Sequence, residues 1–232
     1  MKLAIMQPYF FPYVGYFQLI AAVDRFTVYD NIKYTKKGWI NRNRMLQNGN
    51  DTLFSLSLKS DSDSLDIRER KLAENFNRDK LLNRIHGAYK QAAYFEQTFP
   101  LLEQIVRYEE TNLFHYLHHS ITSVCAHLGL NTEIRISSEV EIDHELKGQD
   151  KVLALCQAQG ARTYINAIGG VELYDRDAFR AQGVTLKFIR SKPIKYPQFG
   201  APFVPWLSMM DVMMFNTLEQ VRAIVNAHYE LV

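Results

Sequence analysis

Lys2-Leu3-Ala4-Ile5-Met6-Gln7-Pro8-Tyr9-Phe10-Phe11-Pro12-Tyr13-Val14-Gly15-Tyr16-Phe17 decides the reading of this chain, together with the helical apolar spacing that follows through Ile20 and Val23 and the second apolar run from Arg25 to Tyr29. The order is strand, loop, helix, strand. A loop so placed leaves the carboxyl end of the first strand, the edge of an open parallel sheet where ligands bind. Pro8 and Pro12 stiffen its backbone, and Gly15 allows the following helix to begin close to a ligand. A helix amino terminus there favours an anion such as a nucleotide phosphate.

Outward from this unit, the α/β rhythm continues to the end of the chain. Residues 31–43 form a polar, basic stretch, and residues 52–58 alternate Phe54, Leu56 and Leu58 with Ser55 and Ser57 as a half-buried strand does. The stretch 60–64 reads as a loop. Helical spacing is predicted over 69–90, with an interruption near Asn77 and Arg78. A second helix, with Pro100 in its first turn, runs to Tyr108, and a third covers 112–128 and ends at Gly129. Thr132 to Ile136 reads as a strand. Helix Gln149–Gln159, strand Thr163–Ile165, loop Asn166–Gly170, helix Asp175–Gln182 and strand Val184–Ile189 follow. A proline-rich loop spans 191–207. Ser208 then caps a helix, with Asp211 in the capping-box position, and a last helix runs from about Thr217 to Tyr229. The predicted architecture is a single α/β domain over 1–232. Its sheet is Rossmann-like and mainly parallel, with a mainly helical insertion at about 69–128.

The bulk numbers bound the function. With 232 residues, 47% of them hydrophobic, the chain can bury a real core. A formal net charge of +2 argues against a protein built to coat nucleic acid or an anionic membrane, so a nucleic-acid partner is not expected. No apolar run is long enough to span a bilayer, and the start has no signal-peptide pattern, so a cytoplasmic location is expected. Cys125 and Cys156 read as reduced, buried thiols. His115, His118 and His119 have helical ligand spacing but no third ligand nearby, so no metal is expected. The residues require no cofactor.

Four segments carry candidate chemistry. In the first loop Gln7, Tyr9, Pro12, Gly15 and Tyr16 are candidate binding residues, because polar-tipped side chains suit a ligand loop better than a pure core. The layout resembles nucleotidyltransferases of the His-x-Gly-His type, with Tyr13-Val14-Gly15-Tyr16 in the motif's place and both imidazoles replaced by phenols. After the second strand, Lys36, Lys37, Arg42 and Arg44 suit a phosphate or carboxylate clamp, Trp39 suits stacking on a sugar or base, and Asp30 reads as a general base, a hydroxyl holder or a helix cap. Asn166, Gly169 and Gly170 suggest a backbone cradle for a ligand oxygen. The loop with Tyr196, Gln198, Pro205 and Trp206 has the length of a lid.

Taken in order, Met6 to Phe17, Tyr29-Asp30, Lys37 to Arg44, Tyr164-Ile165-Asn166 with Gly169-Gly170 and Leu173-Tyr174, Tyr196 with Gln198, and Pro205 to Asp211 resemble the WbqC-like protein family over nearly the whole chain. Asn31 stands where that resemblance leads one to expect an acidic residue. The resemblance implies a role in bacterial O-antigen biosynthesis, with a nucleotide-linked amino sugar as substrate and an acyl or aminoacyl donor whose identity the sequence does not give. On that reading Asp30 acts as base or amine-orienting group. Lys37, Arg42 and Arg44 hold the diphosphate, and Asn41 or the Gly169–Gly170 backbone stabilises an oxyanion. Gln7, Tyr9 and Trp39 position sugar and base. The alternatives are a non-catalytic nucleotide-sugar-binding protein and an ATP-dependent carboxylate-activating enzyme.

Overall fold

A computed structural model describes residues 1–200 and 202–232. Its centre is a six-stranded sheet made of β1 (Lys2–Met6), β2 (Arg25–Val28), β5 (Glu133–Ile136), β6 (Thr163–Ala167), β7 (Thr185–Ser191) and β8 (Tyr229–Leu231). The order across the sheet is β5-β2-β1-β6-β7-β8. All neighbours are parallel except β8, which runs antiparallel to β7. Renumbered by sequence among themselves, these strands lie in the order 3-2-1-4-5-6, a doubly wound arrangement whose direction of winding reverses between β1 and β6.

The winding follows from the pleat. Leu3 and Ile5 point to one face, where they join Val152, Leu155 and Cys156 of α5 (Gly148–Ala158) and Phe179 of α6 (Arg176–Ala181). Ala4 points to the other, among residues of α1 (Val14–Ala21), α4 (Leu113–Leu128) and α8 (Leu218–Ala227). A strand buried on both faces reads as a continuous apolar run, as β1 does. Gln18 on α1 is fully buried: its Nε2 donates to the carbonyls of Ile224 and His228 at 3.0 Å each, and its Oε1 accepts from Ser191 Oγ at 2.5 Å. One amide thereby joins α1, α8 and β7. Gly15 belongs to the same contact. A Cβ there would lie 2.8 Å from Ser191 Oγ, so the glycine lets α1 sit against the end of β7.

Between β2 and β5 the chain builds more than the expected helices. An antiparallel hairpin pairs β3 (Arg42–Gln47) with β4 (Asn50–Ser55). Its turn places Asn48 at φ +52° and Gly49 at φ +75°, the left-handed pair that a two-residue Asn-Gly turn requires. The predicted helix over 69–90 is only half present. Residues 70–77 run irregularly, because buried Arg70 donates to the carbonyls of Ser62 and Lys59 and Leu72 bridges Leu58. The helix itself, α2, spans Arg78–Tyr89, capped by Asn77 Oδ1 accepting from Lys80 N at 2.7 Å. Pro100 lies inside α3 (Phe95–Arg107), on its exposed side, and not in a first turn. A short 3-10 helix, Ile168–Leu173, replaces the loop expected there.

The opening loop is sealed. Pro8, Phe10, Phe11 and Pro12 are buried, and Gln7, Tyr9 and Tyr13 are half-buried. Phe10 N donates to Ile40 O at 2.9 Å. The carbonyl oxygen of Phe11 accepts from Asn43 Nδ2 and from Ser208 Oγ, both at 2.8 Å. Phe11 itself sits at φ +42°, a conformation that costs a non-glycine residue about 1–2 kcal/mol. Ser208 caps α7 (Met209–Phe215) as expected, accepting from Met210 N at 3.2 Å. Asp211, however, does not complete a capping box. Its carboxylate turns inward.

Candidate functional site at the carboxyl edge of the sheet

Because five strands are parallel, the segments after β1, β2, β5, β6 and β7 all leave the same edge. The first polar group there forms at the ends of β2 and β5. Asp30 is 2% exposed. Its Oδ1 accepts from Ser138 N at 2.9 Å and lies 2.8 Å from Ser137 Oγ, and its Oδ2 accepts from Ser138 Oγ at 2.7 Å. Both oxygens are thus engaged, and Asp30 closes the turn after β5 in place of the free base expected from the sequence. Asn31 continues the group: its Oδ1 meets Ser137 Oγ at 2.6 Å and its Nδ2 meets His144 Nδ1 at 2.9 Å.

Lys151 stands beside it in the first turn of α5. Its period with Val152, Leu155 and Cys156 turns it inward, and it is 6% exposed. Nζ donates to the carbonyls of Asn31 (3.3 Å) and His144 (3.1 Å) and lies 5.5 Å from the Tyr29 ring centre. No carboxylate lies within ion-pair distance of it among the described residues. Burial lowers the Lys151 pKa, and the nearby Arg68 charge adds to that against the opposing pull of Asp66 and Asp30. The positive end of the α5 macrodipole acts in the same direction. Burial also raises the Tyr29 phenol to about 12, with Tyr174 and Asp66 contributing, and raises the Asp66 carboxyl, with Glu69 contributing. Lys151, Tyr29, Asp66 and Tyr174 therefore form one electrostatic neighbourhood.

The reversal between β1 and β6 adjoins this group. Gln7, directly after β1, uses its carbonyl to accept from Tyr16 OH at 3.0 Å, while its side-chain amide has no hydrogen-bond partner among the described residues. Tyr16 is buried, with burial holding its phenol well above the usual range. Neither Tyr16 nor Gly15 is free to meet a ligand. Tyr9 stacks edge-on against Tyr16 at 5.6 Å. Buried Asn166 is internally satisfied: Nδ2 donates to Tyr164 OH (2.8 Å) and Tyr174 OH (3.1 Å), and Oδ1 accepts from Ala167 N (2.6 Å). Gly170 packs on Asn166, and Gly169 is open.

On the loop after β2, Asn41 is spent on structure, accepting from Tyr34 OH and donating to Leu56 O, both at 2.8 Å. Arg42 bends back onto the carbonyls of Gly38 (2.9 Å) and Lys37 (2.5 Å), and Arg44 pairs with Asp51 at 3.1 Å. Both guanidiniums also lie over Trp39, at 5.7 and 5.1 Å, which keeps that ring 40% exposed on a rigid base. Lys36 pairs with Asp63. Lys37 and Arg68 are exposed and have no ion-pair partner among the described residues.

The proline-rich loop is a second group. Asp211, 0% exposed, accepts from Tyr89 OH (2.8 Å), Tyr196 OH (2.7 Å) and Gln198 Nε2 (2.8 Å). Tyr196 and Gln198, expected to touch substrate, instead pin their own loop to α7. Burial raises the Asp211 pKa against the three donors. Above this clamp, Tyr13, Pro193, Ile194, Phe203, Pro205 and Trp206 line a cleft of about 90 Å³. Trp206 is 65% exposed at φ +62°, and its ring lies 5.4 Å from that of Tyr13. Strain of this kind concentrates at functional sites.

Sequence reading gave no site role to Lys151, Tyr29, Asp66, Tyr174 or Asp211, although Tyr29, Tyr174 and Asp211 fall in segments that carry the family resemblance. For Lys151 the available signal was its place on the apolar stripe of its helix. Among the described residues no three His, Cys, Asp or Glu side chains gather as a metal site would need, and no helix is long and apolar enough to cross a membrane.

Comparison with known proteins supplies the family. The model of the WbqC-like protein family matches residues 7–223. The uncharacterized protein Rv1507c of Mycobacterium tuberculosis is 28% identical over 219 residues, covering 93% of each chain. No solved structure matches.

Proposed function

This chain belongs to the WbqC-like protein family, and from that premise we propose that it acts in bacterial surface-polysaccharide (O-antigen) biosynthesis as a transferase that adds an acyl or aminoacyl group, such as glycyl, to the amino group of a nucleotide-linked amino sugar. The observation that carries this reading is Lys151: a covered amine held by two carbonyls, its pKa lowered by burial, beside the strand-order reversal of a doubly wound sheet. Acyl transfer to an amine needs a group that takes a proton near neutral pH, and a desolvated lysine is one.

In the proposed reaction the sugar's neutral amine attacks the donor carbonyl. The amine proton passes to the neutral Lys151 Nζ. The tetrahedral intermediate collapses to an amide and releases the carrier, which takes up the proton. The oxyanion meets the N–H of open Gly169 in the first turn of the 3-10 helix, where Gly170 N–H already closes the first i→i+3 bond. Lys37 and Arg68, two cations of this edge with no ion-pair partner among the described residues, hold the diphosphate, and Trp39 with the Gln7 amide positions the sugar nucleotide. Asp30 and Asn41 are positioning residues. The first keeps the turn that delivers Ser137 to Asn31, and the second keeps the basic loop on β4.

The test uses a nucleoside-diphosphate-linked 4-amino sugar with glycine plus ATP, an acyl-CoA or a charged tRNA as donor, and reads the mass gained by the sugar nucleotide. Lys151→Met lowers turnover at least about 100-fold and leaves the Kd for the sugar nucleotide within about threefold. In the unmodified enzyme the ascending limb of the pH–rate profile lies below the ordinary lysine value of about 10.4. Undiminished turnover in Lys151→Met, or no binding of the sugar nucleotide, refutes the assignment. Binding without transfer from any donor turns the reading into that of an accessory protein.

A further inference from the structure

The cleft between the start of α1 and the proline-rich loop lies outside the groups given roles above, and four observations give it a ligand. Its walls are flat and rigid: Tyr13, Phe203 and Trp206 supply rings, and Pro193 and Pro205 supply fixed backbone. The Trp206 ring is open to solvent although a tryptophan gains by burial, and its backbone sits at positive φ. Immediately after it, Leu207 is buried and Ser208 is tied through its N–H to Arg44 O (2.9 Å) and through Oγ to Phe11 O. Beneath it, the Asp211 clamp fixes Tyr196 and Gln198. Flanking the lining residues Pro193 and Ile194 in the chain, Lys192 and Lys195 are exposed with no ion-pair partner among the described residues. His228 Nε2 lies 2.9 Å from the Pro193 carbonyl between them, which fixes the rim backbone.

Aromatic faces beside free ammonium groups suit a planar, π-rich group attached to phosphate. We propose that this cleft is the donor subsite and that it takes a nucleotide, with the base stacked on Trp206 and Tyr13 and the phosphates on Lys192 and Lys195. The donor of the acyl group is then a small nucleotide-borne carrier, such as an acyl-adenylate or a coenzyme A thioester. The role as donor site rests on the transferase reading above; the nucleotide site itself does not.

The chain's two tryptophans separate the two questions, since Trp39 lies on the basic loop and Trp206 on this cleft. In Trp39→Phe, the sole remaining reporter is Trp206. Titration with ADP or coenzyme A saturably quenches its emission, adenosine quenches it at higher concentration, and inorganic pyrophosphate leaves it unchanged. Adding Lys192→Ala and Lys195→Ala to that background raises the Kd for ADP about tenfold and leaves that for adenosine unaltered. If adenosine, ADP and coenzyme A at millimolar concentration all leave Trp206 emission unchanged, the proposal is overturned. It is overturned equally if the lysine changes weaken adenosine and ADP alike. Loss of transfer activity in the Lys151→Met variant with intact quenching of Trp206 keeps the nucleotide site while testing the chemistry apart from it.

Discussion

Asp30 and Asp211 are both buried carboxylates that meet three hydrogen-bond donors and no cation within ion-pair distance, but they are assembled in opposite ways. The donors to Asp30 come from two consecutive residues, Ser137 and Ser138, and one of them is a backbone N–H. The donors to Asp211 are three side chains from α2 and the proline-rich loop, 122, 15 and 13 residues away. Asp30 therefore ties the end of β2 to a single turn after β5, 107 and 108 residues away, and half-buried Ser138 leaves water a route to replace it. Asp211 gathers three separate side chains, one from α2 and two half-buried ones from the proline-rich loop, and is itself fully buried. The residue whose sequence position suggested chemistry is a brace, and the buried amine of Lys151 stands beside it.

Deleting each carboxyl group tests that contrast, with the larger effect expected at Asp211. Asp211→Ala strands two phenols and an amide and costs about 3–5 kcal/mol in urea unfolding. A loss below about 1 kcal/mol would mean that water fills the gap and that there is no clamp. Asp30→Ala costs less, about 2–3 kcal/mol, because the serines can turn to solvent. Equal losses at the two sites would erase the distinction.

A pH series sharpens the comparison through Asp211→Asn. Burial raises the Asp211 pKa in the folded state above its ordinary carboxylate value of about 3.9. Within the window between those two values the folded chain binds more protons than the unfolded one, so the stability contributed by Asp211 grows as pH falls through the window. The stability of the parent relative to Asp211→Asn, measured by urea unfolding between pH 7 and pH 4, therefore increases toward pH 4; a flat difference contradicts the shift. The smallest expected effect is the coupling. Asp30→Ala and Asp211→Ala share no partner, so their losses add within about 0.5 kcal/mol. A larger interaction energy would join the two ends of the carboxyl edge into one network.

The part of the fold legible in the sequence is the part written in local periodicity. β1, α1 and β2, the helices α4 to α6 and the caps at Asp175, Ser208 and Gly129 follow from apolar spacing and turn chemistry. The β3–β4 hairpin did carry a signal, Asn48-Gly49, but the arginines and asparagines of β3 disguised a strand as a basic loop. Residues 69–77 contain helix formers, but after the 3-10 turn Ile67–Glu69 the backbone bridges Lys71 to Asn112 and Leu72 to Leu58 while Arg70 bonds Ser62 and Lys59, and these partners make the stretch irregular. The short edge strand β8 sits at the end of a helical pattern that gave no sign of it.

Of the candidate residues, Trp39 is exposed and Lys37 has no ion-pair partner among the described residues. Tyr196, Gln198, Asn166 and Asn41 have the polar tips of ligand residues, but their partners come from remote segments that a linear reading cannot bring to them. Lys151 was hidden for the reverse reason: an isolated lysine reads as solvated, and its burial depends on the carbonyls of Asn31 and His144.

The carbonyl oxygen of Phe11 gathers residues 11, 43 and 208 at a single atom. Closing so wide a span of chain is entropically slow, and the bent backbone at Phe11 has nothing to hold it until both partners have docked. The carboxyl edge therefore matures last during refolding: in pulsed hydrogen exchange the amides of β1 and β2 acquire protection before those of residues 8–13, and the nascent protein has its sheet before it has a binding surface.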